Sequence, residues 1–504
     1  MLNLNNIKTP GVYIDEVPKF PPSVAEVATA IPAFVGYVEK TIYNGVNLQN
    51  QPTRIKSLAE FISIFGGPYS IVTASNQINV TIGADGKITS SLPNLNELLI
   101  FKLYQNLQMF FANGGGSCYI VPINTYFNGA TPRTISVSDY DAGLVALAKE
   151  DEPTLIVFPD LTSFGDDAPG LANYHSVLKN ALIQCSTLKD RFVICDVKNS
   201  SVASSNAISN FRDGIGVNNL SYGAAYYPWI KTIIDFELDE TNIMVSGVVY
   251  QPQVGYTSTP QNNIRLRQLI NPTPGSSLVI NGGGPPTGNK TFTEVTNSAL
   301  YQYIKSEFAK QKVVLPPSGA IAGVYASIDN TRGVWKSPAN FSLNFIIDPT
   351  IRIDDRDQDD LNVHTTGKSI NVIRNFFGKG VLVWGARTLA GNDNEWRYVS
   401  VRRFFIFAEE SIKKATEPFV FEPNDANTWV KIRSMIENFL INQWRAGALV
   451  GAKPEHAFYV KCGLGATMTS QDILEGRMIV EIGLAVVRPA EFIVLRFSHK
   501  MQES

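Results

Sequence analysis

A chain of 504 residues that is 44% hydrophobic and 17% charged can build cores for two to four domains, which excludes disorder as its default state. Its net charge of -2 supplies no basic field for a phosphate backbone, so no direct nucleic-acid partner is expected. Cys118, Cys185, Cys195 and Cys462 stand far apart without a Cys-x-x-Cys pair, which fits neither a disulfide framework nor a zinc site. The start, Met1 to Lys8, lacks a basic segment followed by an apolar one, and no run approaches the roughly 18 apolar residues that span a bilayer. Synthesis in the cytoplasm without a signal peptide, and no membrane insertion, are the expectations.

In chain order, Thr9 to Pro18 reads as a strand fenced by Pro10, Pro18, Pro21 and Pro22, with Val12 and Ile14 on one face and Tyr13 and Asp15 on the other. A terminal strand has to pair, either within its own domain or with a neighbouring chain. Ala30 to Val38 predicts a buried strand and Ser57 to Phe65 a helix closed by Gly66-Gly67-Pro68. Residues 69 to 92 are polar and turn-rich, as in a surface insertion. Apolar residues at intervals of three and four predict one helix from Leu95 to Ala112, followed by a strand from Cys118 to Ile123. Strand Leu155 to Phe158, helix Ala168 to Leu188, strand Arg191 to Val197, helix Val202 to Phe211 and strand Tyr222 to Tyr227 alternate as parallel α/β units do. Residues 235 to 300, with Asn281-Gly-Gly-Gly-Pro-Pro-Thr-Gly288, read as an irregular subdomain that is mobile or faces a partner. A long helix is expected over residues 425 to 446, and strands over Ile479 to Val487 and Glu491 to Phe497.

Patterns that suggest catalysis each miss an essential element. Leu155 to Phe158 runs into Pro159-Asp160 rather than a glycine-rich phosphate turn. Thr366-Gly-Lys-Ser369 has Asn362 where a phosphate loop needs its first glycine. Asp355-Arg-Asp-Gln-Asp359 has the alternating acids of a calcium loop, but Asp360 replaces the turn glycine and Thr366 the final glutamate, so a solvated acidic loop is expected. The four histidines have no metal-ligand spacing, and no Gly-x-Ser-x-Gly elbow occurs. Catalytic residues, metal and cofactors are all expected to be none.

Leu361-Asn, Ile370 to Arg374, Gly378-Lys-Gly380, Val383-Trp-Gly-Ala-Arg-Thr388 and Arg397 to Arg403 resemble the C-terminal signature of contractile tail sheath proteins. The resemblance extends, in the same order, to Pro10 to Glu16, Ile31 to Gly36, Gly114 to Val121, Pro317 to Gly323 and Gly333 to Pro338. It implies a structural homo-oligomer of stacked hexameric rings around an inner tube protein, with baseplate and terminal cap proteins as further partners. Such a sheath belongs to a phage tail, as a virion component, or to an extracellular contractile injection system, and contracts to drive the tube through a target envelope. A passive tube- or capsid-like assembly protein, and an α/β enzyme with an unrecognised site, are the alternatives.

The expected fold is a multidomain mixture of α+β and α/β. The arm is 1 to 22. An inner domain is built from 23 to 119, with a surface insertion at about 41 to 95, and from 346 to 487. An outer α/β domain of 120 to 345 is inserted, and a second strand arm occupies 488 to 504. The resemblance makes Val12, Tyr13, Ile14 and Asp15, and Phe492, Val494 and Arg496, inter-subunit arm residues. It makes the charged face of helix 425 to 446, with Lys431, Arg433, Glu437, Asn438 and Arg445, a candidate tube-facing surface. The signature residues Trp384, Gly385, Arg387 and Thr388 read either as a subunit contact or as a core Trp beside an Arg that fixes a turn.

Overall fold

The computed structural model describes residues 24–71, 78–82, 87–198, 206–238, 240, 244–250, 264–266 and 297–496. It is a mixed α/β chain in two compact units. One comprises Ala30–Thr331 and Ser337–Val399; the other gathers residues up to Thr29, Arg332–Lys336 and the chain from Ser400 onward. The expected division is therefore corrected. Pro32–Val38 pairs with Leu155–Val157, and Gly223–Tyr227 with Ile370–Phe376, so segments assigned to two domains share one sheet.

That sheet has nine strands, in the order Phe341–Ser342, Gly380–Trp384, Ile370–Phe376, Gly223–Tyr227, Phe192–Asp196, Leu155–Val157, Pro32–Val38, Cys118–Thr125 and Thr53–Ile55. Ile370–Phe376 through Cys118–Thr125 run parallel, and antiparallel strands flank them. Every residue of Pro32–Val38, Phe192–Asp196 and Gly223–Tyr227 is buried, as expected of parallel strands covered on both faces. Helix Ala168–Leu188 begins on an Asp167 cap to Gly170 N–H and ends at Lys189 in the left-handed region, φ 63°.

Two departures from the sequence reading have clear causes. The expected helix Leu95 to Ala112 is two helices, Leu95–Leu98 and Leu103–Ala112, because the amides of Lys102 and Leu103 turn to a buried carboxylate instead of continuing the first helix. The segments read as insertions are not independent loops: Ile78–Ile82 and Met244–Tyr250 pair in parallel inside a four-stranded sheet with Ile88–Ser91 and Ile264–Arg265.

Helix Ser318–Arg332 explains the Pro317 to Gly323 motif. A Cβ at Gly319 would stand 2.6 Å from the Asn106 carbonyl oxygen, and one at Gly323 2.5 Å from that of Phe110, so the two glycines let helix Leu103–Ala112 approach at backbone contact. Ser318 through Ala326 are buried without interruption.

In the second unit, helix Ala426–Arg445 presents Ile432, Met435, Ile436, Phe439 and Leu440 to Phe404, Phe407 and Ala408 of helix Val399–Thr416, with Val24 and Val334 in the same core. Residues 24–29 are pinned to it: Ser411 Oγ accepts from Val27 N–H at 3.2 Å, the Thr29 carbonyl from Arg403 at 2.8 Å, and Glu26 from the Gln443 amide at 2.6 Å.

Gly323→Val should lower unfolding free energy by about 3 kcal/mol through overpacking. Gly116→Ala, whose Cβ meets nothing within 4 Å, should stay within about 0.5 kcal/mol of the parent. Chemical denaturation of both variants checks the pair.

Candidate assembly surface

Parallel sheets bind ligands at the carboxyl ends of strands where the strand order reverses. Here that point is Pro32–Val38, flanked by Cys118–Thr125 and Leu155–Val157, and it is filled by Asp160. Its carboxylate accepts from Tyr37 N–H at 2.9 Å, Lys102 N–H at 2.5 Å and Leu103 N–H at 3.0 Å. The N-terminus of helix Leu103–Ala112, a ready anion site, thus holds the chain's own anion. Asp196 does the same for helix Ser318–Arg332, accepting from Ser318 N–H at 2.8 Å and its Oγ at 2.5 Å. Burial pushes Asp160 up to about 6 and Asp196 up to about 7, against the hydrogen bonds they accept. Burial also lowers the Lys102 ammonium to about 8, and that group donates to Ser163 Oγ.

The tempting motifs are ties within the fold. Lys368 of Thr366 to Ser369 donates to the Arg212 carbonyl, and Ser369 Oγ to the Asn362 carbonyl at 2.6 Å. The acidic run expected as a loop is the helix Asp355–Asn362, closed by a reciprocal capping box between Asp354 and Asp357. Asp355 pairs with Arg374 at 2.8 Å and Asp360 with the buried Arg212 at 2.7 Å. No group of three His, Cys, Asp or Glu able to hold a metal occurs among the described residues, and no described helix is long and apolar enough to cross a membrane.

Of the signature residues, Arg387 and Thr388 are buried and Trp384 and Gly385 half-buried, and all make contacts within the chain. Asn371 clasps the Arg387 backbone, its Oδ1 accepting from Arg387 N–H and its Nδ2 donating to Arg387 O, each at 2.8 Å. The buried Arg387 side chain donates to the carbonyls of Asn362 and Gly391, and Thr388 Oγ1 to that of Trp396 at 2.7 Å. Gly385 lies against Asn371, where a Cβ would come within 2.8 Å of Oδ1, and half-buried Trp384 packs on Phe376.

On helix Ala426–Arg445 the nominated residues divide. Lys431, Asn438 and Arg445 are exposed, and their seven-residue spacing places them on one face. Arg433 and Glu437 are half-exposed and oppose each other at 3.7 Å on a flank. Arg433 lowers the Cys462 thiol against the raising effect of burial, which places it beside strand Phe458–Cys462.

The strongest feature is a deficit of cover. Phe458–Cys462 and Val480–Leu484 form a two-stranded hairpin with Val460 opposite Ile482. Strand Phe458–Cys462 lies on helix Ala426–Arg445. Beyond Val480–Leu484, helix Val399–Thr416 is left open, and a groove of about 640 Å³ is lined by Phe405, Ile412, Phe419, Val480, Ile482 and Leu484. Next along the chain, Phe492, Ile493, Val494 and Leu495 are 69 to 78% exposed. Of the strand expected at Glu491 to Phe497, the described part, residues 491–496, forms no strand within the single subunit. Val12, Tyr13, Ile14 and Asp15 lie outside the described residues.

Helix N-termini satisfied by the chain's own carboxylates in one unit, and an open strand edge with an exposed apolar segment in the other, are the features of an assembly subunit. The phage tail sheath protein central domain matches residues 133–389, and the phage tail sheath C-terminal domain residues 391–500. The chain belongs to the phage tail sheath family. It is 29% identical to a chain of the anti-feeding prophage helical sheath in the contracted state, covering 98% of this chain and 100% of that one with a TM-score of 0.61. It is 30% identical, over 98% and 100%, to a chain of the six-fold symmetrised anti-feeding prophage baseplate, TM-score 0.60. The tail sheath protein of Vibrio phage KVP40 is 26% identical over 245 residues, 42% of this chain and 36% of that protein's length.

Because Asp160 and Asp196 hold protons more tightly folded than unfolded, their contribution to stability is complete below about pH 4 and is lost as pH rises through about 6 and 7. Asp196→Asn should therefore fall less in stability than the parent between pH 5 and 7.5, by on the order of 1–3 kcal/mol, in denaturation curves at the two pH values.

Proposed function

We propose that this chain is the subunit of a contractile sheath, on a phage tail or an extracellular injection particle. It polymerises as stacked hexameric rings around an inner tube and shortens to drive that tube through a target envelope. The hairpin that leaves its helix uncovered carries the reading. A strand added beside Val480–Leu484 satisfies a row of backbone groups and buries the groove at once, and Phe492 to Leu495 of a neighbouring copy have the exposed apolar run to supply it. The N-terminal arm with Val12 to Asp15 is a second donor, leaving from the fixed point that residues 24–29 make on the same unit. The full-length likeness to a contracted sheath supports contraction, and the six-fold baseplate likeness supports hexameric rings.

The unit containing helix Ala426–Arg445 is the one that faces the tube. Lys431 and Arg445, with Asn438 between them on one solvent face, suit an acidic tube surface, while Arg433 and Glu437 already oppose each other. Terminal cap and baseplate proteins complete the particle.

Purified protein examined by negative-stain microscopy should form hollow tubes; compact, unassembled particles at high concentration would overturn the reading. Lys431→Glu with Arg445→Glu should weaken decoration of the inner tube in a salt-sensitive way, with stability changed by less than about 0.5 kcal/mol. Arg433→Glu should leave decoration near the parent level in the same salt series.

A further inference from the structure

We propose that Phe421 is the clamp of the strand-acceptor groove, a preset aromatic wall against which the incoming segment Glu491–Arg496 of a second copy packs. This rests on the strand-addition reading above and assigns the residue that decides how tightly the added strand is held.

Three observations converge on this side chain. Phe421 is 103% exposed, yet it lines the mouth of the groove with Val420 and Glu422. Its backbone sits at φ 71°, in the left-handed region that bulky side chains avoid. Of the other six described non-glycine residues there, four are asparagines, which tolerate it; Lys189, Phe345 and Phe421 carry side chains that do not, and of these Phe421 is the one on the groove. The loop enforces the conformation: Val420 N–H donates to the Glu417 carbonyl, Glu422 N–H to that of Phe419, and Asn424 Nδ2 to that of Arg477, while Trp429 Nε1 donates to Asn424 Oδ1 at 2.7 Å. A strained residue whose ring meets only solvent gains nothing in the lone subunit, so the gain lies in a complex.

The occupant follows from what the groove lacks. Its lining is mainly apolar; Lys413 on it is paired with Glu410, and the acidic Glu409 and Glu422 stand exposed. The segment from Phe492 to Leu495 offers consecutive exposed apolar side chains, and Arg496 closes it with an exposed cation. An extended chain laid beside Val480–Leu484 passes between helix Val399–Thr416 and the Phe419–Glu422 loop, since all three line the same groove. Alternate side chains then point to the helix, and the loop backbone that carries Phe421, fixed before binding, costs little ordering when the strand arrives.

The test uses full-length chains and the critical concentration for tube formation, read by sedimentation. Phe421→Gly removes the ring while accepting the positive φ, so the unassembled subunit should melt higher than the parent even as its critical concentration rises at least tenfold. Phe421→Tyr should polymerise as the parent does, and Phe421→Asn should behave like the glycine variant. Val494→Asp, which puts a charge on the donor, should abolish tubes. If Phe421→Gly polymerises at the parental concentration while Val494→Asp does not polymerise, the clamp is wrong and strand addition stands. Parental polymerisation by Val494→Asp overturns strand addition itself.

Discussion

An apolar helix face and the backbone edge of a strand both demand cover, and the two units of this chain meet that demand in opposite ways. In the larger unit the parallel strands are hidden on both faces, their flanks are closed by antiparallel strands, and even the helix N-termini at the strand ends are satisfied internally by Asp160 and Asp196. In the other unit a two-strand hairpin covers one helix and stops short of the next. The first arrangement fills the place where related folds bind small molecules with the chain's own Asp160. The second leaves an apolar groove open.

This division bears on how a sheath subunit can be both rigid and linkable. Close backbone contact at Gly319 and Gly323, the Asn371 clasp on Arg387 and the Arg212 pair with Asp360 tie distant parts of the larger unit together through buried groups. These are interactions that tolerate little displacement, because a buried polar group that loses its partner is costly. The residues from Gly385 to Thr388 take part in this internal bracing through Asn371, Asn362, Gly391 and Trp396.

Local signals carried much of the fold in the sequence, and tertiary ones were the losses. Helix Ala168–Leu188 was legible to its ends because its Asp cap, N-terminal proline and left-handed stop are all local. The break between Leu98 and Leu103 was not, since it depends on a carboxylate 57 residues away from Leu103. The acidic run at 355–360 carried an Asp-x-x-Asp capping box that could have revealed a helix, but its alternating acids suggested a loop. Pairing of Ile78–Ile82 with Met244–Tyr250 joins segments that share no sequence pattern. The exposed segment Phe492 to Leu495 was readable as a hydrophobic run. The groove was not, because it exists only once two helices, a loop and a strand from residues 405–484 have come together.

The connectivity of the second unit adds a consequence for biosynthesis. Its core needs Val24, then Val334, then everything from Phe404 to Val460, so the chain leaves it and returns more than once before it can close. A ribosome therefore delivers the residues of the groove among the last parts of the described chain, after the larger unit is already complete. A product truncated before Val480–Leu484 lacks the strand that lines one side of the groove. The order of residues along the chain thus makes the groove one of the last features of the described chain to form.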